Sequence, residues 1–227
     1  MPIRIAINGF GRIGRVTARL LQDRTDIELV AVNDLTDNLT LAHLYKYDSI
    51  HGVFQGEVGH DAEHLILGGK KVKAFAEKDP TNLPWGKLGI DVVIECTGHF
   101  LTRESAGAHL KAGAKKVVLS APAKDADIKS VVLGVNEHIL EASDTMVSNA
   151  SCTTNCAAPM IMGIHELCGI EDGFITTVHS YTGDQRLHDA PHKDLRRARA
   201  AAADGPGDAG HRKAVAPDAP PHRARPH

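Results

Sequence analysis

The first half of the chain alternates short apolar runs with stretches whose apolar residues recur at helical spacing. Residues 3–7, Ile-Arg-Ile-Ala-Ile, read as a short strand, and a glycine-rich turn follows from Gly9 to Gly14. Beyond it Ile13, Val16, Thr17, Leu20 and Leu21 share one face of a predicted helix. Glu28 to Asn33 reads as a second strand that ends in Asp34, so the opening is a strand–helix–strand unit. Apolar runs on either side of Gly68-Gly69 predict a hairpin over 65–75. Asp91 to Glu95 is nearly continuous in apolar residues, the pattern of a strand covered on both faces. A helix is predicted from Arg103 to Lys111, with strands at Lys116–Leu119, Val131–Val135 and Thr145–Ser148. Elements that alternate in this way predict an α/β fold with a doubly wound, mostly parallel sheet.

The pattern changes near Asn149. A helix from Ser151 to Leu167 would present Ala157, Met160, Ile161, Ile164 and Leu167 as an apolar stripe. Gly173 to His179 reads as a strand, and Ser180 to Arg199 as a polar segment ending in alanines. From Asp204 to His227 the sequence is rich in Pro, Ala, Arg and His, with Val215 as its one branched aliphatic residue. A segment with so little to bury cannot offset the entropy of ordering it, and disorder is expected.

Composition narrows the function classes. With 42% hydrophobic and 24% charged residues and a net charge of -2, the chain reads as a soluble globular protein. Such a balance gives no reason to expect nucleic acid or a membrane surface as partner. No apolar run is long enough to cross a bilayer, and the N-terminus enters a strand without a signal peptide's apolar core. A cytoplasmic location is therefore expected. The four cysteines, Cys96, Cys152, Cys156 and Cys168, are expected to be reduced thiols. Cys96 and Cys168 sit among core-like residues and read as small buried side chains.

Gly9-Phe10-Gly11-Arg12-Ile13-Gly14 fits G-x-G-x-x-G. The glycines allow a tight turn, close approach of backbone to a pyrophosphate, and close packing of helix on strand. The helix N-terminus adds free N–H groups and the positive end of its dipole. Taken alone the pattern also fits a structural strand-to-helix turn. Here a strand precedes it, a helix opens within it, and Asp34 follows about twenty residues on. A carboxylate at Asp34 would accept hydrogen bonds from ribose hydroxyls and repel a 2′-phosphate, and Leu35 and Thr36 offer no arginine to such a phosphate. The expected cofactor is NAD.

Ser148 to Cys156, SNASCTTNC, sets Cys152 at the start of the second-part helix, where unpaired N–H groups and the dipole favour a thiolate. A thiolate can add to an aldehyde carbon, and the thiohemiacetal can then release hydride. Backbone N–H groups around Cys152 could stabilise the oxyanion. Cys156 lies one turn on, but no further ligands at matching spacing accompany the pair, so no metal is expected. His179, ending the apolar run Phe174 to Val178, is a candidate base; by position alone it better fits a hydrogen-bonded structural histidine.

SNASCTTNC, with INGFGRIGR upstream and VHSYTGDQRLHDAPHKDLRRARAAA downstream, resembles the phosphorylating glyceraldehyde-3-phosphate dehydrogenases over residues 1 to about 203. The resemblance implies a Rossmann-type NAD-binding domain over 1–149, the start of an incomplete α+β catalytic domain over 150–203, and the tail 204–227. It implies Cys152 as nucleophile and His179 as base. Asn8, Gly9, Gly11, Arg12, Ile13, Gly14, Asp34, Lys78, Thr97, Gly98 and Ser120 match cofactor positions. Ser151, Thr153 and Thr182 match hydroxyls that bind the substrate phosphate or inorganic phosphate. Tyr181 to about Ala203 resembles the loop that packs beside a neighbouring subunit's NAD in the family's homotetramer. The implied reaction is NAD-dependent oxidation and phosphorylation of glyceraldehyde 3-phosphate to 1,3-bisphosphoglycerate, a step of glycolysis. Two alternatives stand beside it: a non-catalytic NAD-binding fragment, and a dehydrogenase of erythrose 4-phosphate. The change of composition after Ala203 is what a shifted reading frame would produce.

Overall fold

A computed structural model describes residues 1–180 and 182. The segment from Tyr181 that resembles the inter-subunit loop, and the tail 204–227, otherwise lie outside the described residues. Two compact units divide the chain, the first Met1–Ser151 and the second beginning at Cys152.

The first unit is built on a nine-stranded sheet. Its strands, in chain order, are β1 (Ile3–Asn8), β2 (Ile27–Asn33), β5 (Val58–His60), β6 (His64–Leu67), β7 (Lys70–Phe75), β8 (Val92–Glu95), β9 (Lys116–Leu119), β10 (Lys129–Ser130) and β11 (Met146–Ser148). A small ribbon, β3 (Tyr47–Asp48) with β4 (Gly52–Val53), stands apart. Across the large sheet the order is β10-β11-β9-β8-β1-β2-β7-β6-β5. Pairing is parallel from β10 through β7 and antiparallel only in the β5–β6–β7 meander. The chain thus leaves β1 toward β2 on one side and returns through β8 on the other, which opens a crevice at the carboxyl ends of β1 and β8. This is the Rossmann-type α/β architecture.

Helices α1 (Arg12–Leu20), α2 (Asn38–Lys46) and α3 (Arg103–Lys111) complete the unit. Helix α3 starts on a capping box in which Thr102 and Ser105 satisfy each other's backbone N–H groups. Helix α2, absent from the sequence reading, starts at Asp37, whose carboxylate accepts from the Thr40 N–H. One core cluster joins Ile7, Phe10, Ala18, Val32, Tyr45 and Leu65; a second gathers Ala6, Ala31, Val93 and Ile90 around Trp85.

Several expectations are corrected. The buried face of α1 is Gly14, Arg15 and Ala18, whereas Ile13 and Leu20 are exposed. The cause is the closeness of helix to strand: a Cβ on Gly14 would lie 2.2 Å from the Gly9 carbonyl oxygen, so only small side chains or a folded-back arginine fit. Val131–Val135 is not a strand. The Asn136 side chain accepts from the Val132 N–H, and Gly134 takes φ +80°, which turns the chain after β10. Gly173–His179 also forms no strand, and Phe174 and Val178 are fully exposed. Ladder pairing makes a strand, and no described segment pairs with this one.

The second unit opens with α4 (Cys152–Cys168), which ends at Gly169 in the left-handed conformation that suits a helix C-terminus. The expected stripe of this helix carries Met160, Ile164 and Leu167 largely exposed. Cys156 and Cys168 are exposed as well, so Cys168 is not the buried side chain its neighbours suggested. Two large apolar residues bracket it at 167 and 170, but α4 turns this end outward.

The Gly9–Gly14 contact gives a stability prediction. Gly14→Ala should destabilise the first unit by about 1–3 kcal/mol through overpacking, with Gly11→Ala well below that because a Cβ there meets nothing within 4 Å. Urea unfolding of the two variants checks the difference.

Candidate active site

At the mouth of the crevice both backbone polar groups of Phe10 are held by side chains. Its N–H donates to Asp34 Oδ2 at 2.7 Å, and its carbonyl accepts from the Arg15 guanidinium at 2.8 Å. Asp34 Oδ1 accepts from the Thr36 N–H at 2.9 Å, so the carboxylate is fixed at the end of β2 while staying partly accessible. Burial, and after it the nearby Arg12 charge, lowers the Arg15 pKa against the pull of Asp48 and Asp34. Gly9 has φ +91° and a Cβ on it would lie 2.7 Å from the Thr97 nitrogen, so β1 and the loop after β8 touch through backbone.

Helix α1 has Gly11 as its N-cap, with no side chain bonded to its first turn, and the space beside Gly11 is open. Uncapped N–H groups beside that open space suit a pyrophosphate. Ile13 is exposed at the same turn. Arg12 is drawn aside by Asp48 at 2.6 Å, and Asp48 is kept well below the usual carboxylate range by the His51 N–H first, with burial opposing and the Ile50 N–H and Arg12 assisting. Thr97, Gly98 and Ser120 follow β8 and β9 at the crevice end of the sheet. Lys78 is exposed in the loop after β7, and that loop is pinned to β2 because Asn33 exchanges two hydrogen bonds, each 2.8 Å, with the Glu77 backbone. Asn8 is the exception among the expected cofactor residues. It is buried, and its amide is taken up by Glu95 and Asn33.

The second unit brings together the two residues expected to carry chemistry. Cys152 is the first residue of α4, and its Sγ lies 3.1 Å from His179 Nε2. His179 Nδ1 lies 2.6 Å from the Ser180 carbonyl, which can only accept, so Nδ1 carries a proton and Nε2 faces the sulfur. Partial burial works against ionisation of Cys152, but the His179 hydrogen bond and charge, with the Thr153 N–H and hydroxyl, outweigh it and lower the thiol pKa. The His179 pKa is raised, first by the Ser180 carbonyl and then by the sulfur. Cys96 is the contrast: burial pushes its pKa up to about 12 and leaves it an inert thiol. Ser151 is buried, Thr153 half-buried in the first turn of α4, and Thr182 exposed.

Comparison with known proteins reads the same two regions. Residues 3–103 match the family model described as the NAD binding domain of glyceraldehyde 3-phosphate dehydrogenase, and residues 151–220 match its C-terminal domain. A glyceraldehyde-3-phosphate dehydrogenase of Thermotoga maritima is 58% identical over 216 residues, covering 94% of this chain and 65% of the relative. The chain belongs to the glyceraldehyde-3-phosphate dehydrogenase family. Dehydrogenases of the same name from Geobacillus stearothermophilus and Mycoplasma pneumoniae are 56% and 58% identical, over 89% and 88% of the chain and 60% and 59% of their own lengths. The chain thus spans about three-fifths of the length of the curated family members it matches. Its match to the family's C-terminal model runs to residue 220, beyond Ala203 where the quoted motifs end. NAD is the cofactor of the family's first domain, and the glycine cradle and the fixed Asp34 carboxylate fit it.

Sequence reasoning missed Arg15, Glu95 and His109. Arg15 could have been suspected, since a buried cation one residue past the last glycine needs a carbonyl to hold. Among the described residues no helix is long and apolar enough to cross a membrane.

The Cys152–His179 pair yields a pH prediction. Alkylation of Cys152 by iodoacetamide should begin at lower pH than for an ordinary thiol, because the lowered pKa exposes thiolate earlier. His179→Ala should move that rise to higher pH, and Cys152→Ala should remove the fast-reacting site. The pH dependence of the alkylation rate checks both.

Proposed function

We propose that this chain is an NAD-dependent, phosphorylating glyceraldehyde-3-phosphate dehydrogenase acting in the cytoplasm. The observation that carries the reading is the 3.1 Å approach of His179 Nε2 to Cys152 Sγ at the first turn of α4. Family membership, shared with dehydrogenases of that name, supports the substrate.

In this reading His179 Nε2 takes the thiol proton and the Cys152 thiolate adds to the aldehyde carbon. The resulting alkoxide is met by backbone N–H groups at the start of α4 and then by the His179 proton, giving a thiohemiacetal. His179 next withdraws the hydroxyl proton while hydride leaves the same carbon, which becomes a thioester. NAD, when bound, supplies the hydride acceptor. An oxygen of inorganic phosphate then attacks the thioester carbon, the C–S bond breaks, and Cys152 leaves as thiolate. The product is 1,3-bisphosphoglycerate. Ser151, Thr153 and Thr182 are proposed to hold the phosphates through their hydroxyls. Gly9, Gly11, Arg12, Ile13, Gly14, Asp34, Lys78, Thr97, Gly98 and Ser120 are proposed to hold the cofactor, and the active assembly is proposed to be the homotetramer.

The test is NADH formation by the full chain with glyceraldehyde 3-phosphate, phosphate and NAD. Turnover that disappears in Cys152→Ser and falls about 10²–10⁴-fold in His179→Ala is expected. A folded chain that binds NAD without any turnover would sink the catalytic reading.

A further inference from the structure

Beneath the crevice lies a carboxylate that the proposed chemistry does not use. Glu95 ends β8 and is buried, and among the described residues its one basic neighbour at bonding distance is the His109 ring. Its two oxygens divide four donors evenly. Oε1 accepts from the Thr97 N–H at 2.7 Å and the Thr97 hydroxyl at 2.5 Å; Oε2 accepts from Asn8 Nδ2 at 2.6 Å and lies 3.0 Å from His109 Nε2. The state of His109 follows from its other neighbour. Trp85 Nε1 can only donate, and it points at His109 Nδ1 from 3.1 Å, so Nδ1 presents a lone pair and Nε2 carries the ring's one N–H toward Glu95. His109, Trp85 and Glu95 are all essentially inaccessible to water. From Asn8 the network continues to Asn33 at 2.7 Å and on to the Glu77 backbone. One carboxylate therefore ties the ends of β1, β2 and β8 and the loop after β7 into a single rigid lip.

We propose that Glu95 is a positioning residue for the dinucleotide: by gripping both donors of Thr97 and, through Asn8, the neighbouring strand ends, it holds the crevice in binding geometry before the ligand arrives. The inference rests on the NAD-binding reading above. Pre-formed geometry spares the ligand the entropy of ordering the loop, so loosening it weakens binding without removing any direct contact.

Glu95→Gln isolates the effect because it keeps the shape. Whichever way the amide turns, its NH₂ faces two donors, so either the Thr97 pair or the Asn8–His109 pair loses its acceptor. Calorimetry with NAD on the full chain should show affinity at least about tenfold weaker in the variant, the scale of one lost charge-assisted bond. Amide hydrogen exchange, read without ligand, should accelerate at Thr97 while the amides of Ala6 and Val32 keep their protection. NAD affinity less than about tenfold weaker than that of the unaltered chain overturns the proposal. So does unchanged exchange at Thr97, or exchange that rises equally at Ala6 and Val32, which would make Glu95 a general stabiliser only. If the variant does not fold, the unaltered chain decides: its Thr97 amide should exchange more slowly than that of Gly98, and equal rates overturn the proposal. Failure of the unaltered chain to bind NAD sinks the cofactor reading itself, and the inference with it; a variant that binds NAD as tightly as the unaltered chain sinks the inference alone.

Discussion

A helix resting on a carbonyl oxygen is the constraint on which the first unit depends. Because α1 sits so close to the turn after β1, the sheet-facing side of its first turn has room for no side chain at Gly14, and the N–H groups there are brought against the crevice. Everything nearby preserves that closeness. Asp34 holds the Phe10 N–H, Arg15 holds the Phe10 carbonyl oxygen, and the Gly9 backbone lies directly against Thr97. A larger residue at Gly14 would push the helix outward and with it the anion-binding end of its dipole.

Those parts of the fold that depend on local pattern were legible in the sequence. Helix α3 and strand β9 appear over Arg103–Lys111 and Lys116–Leu119, the ranges that the sequence pattern predicts. Misreadings occur where a neighbour distant in sequence decides the outcome. The apolar stripe assigned to α1 points the wrong way because sheet proximity, invisible in a periodicity count, selects for smallness over hydrophobicity. Val131 and Val132 are buried like strand residues, yet Asn136 and Gly134 turn the backbone first. The segment before His179 has strand-like composition, but a β-strand is a relation between two segments.

The candidate site divides along the same line. Its glycines, Asp34 and Cys152 can be found from spacing, since each acts through backbone conformation or a helix end. His179 could be preferred over a structural histidine only by resemblance, because its partner is 27 residues away. Glu95 was hidden more deeply: its contact with Asn8 spans 87 residues, and a glutamate at the end of an apolar run reads as the point where a strand reaches solvent. Here it is interior, and four donors make that possible.

Trp85 is the chain's single tryptophan. It is buried in the first unit, edge-on to Phe75 with ring centroids 6.0 Å apart. Intrinsic indole emission is therefore an observer stationed in one half of the molecule. Melting followed by that signal would chart the dinucleotide-binding unit without adding a dye.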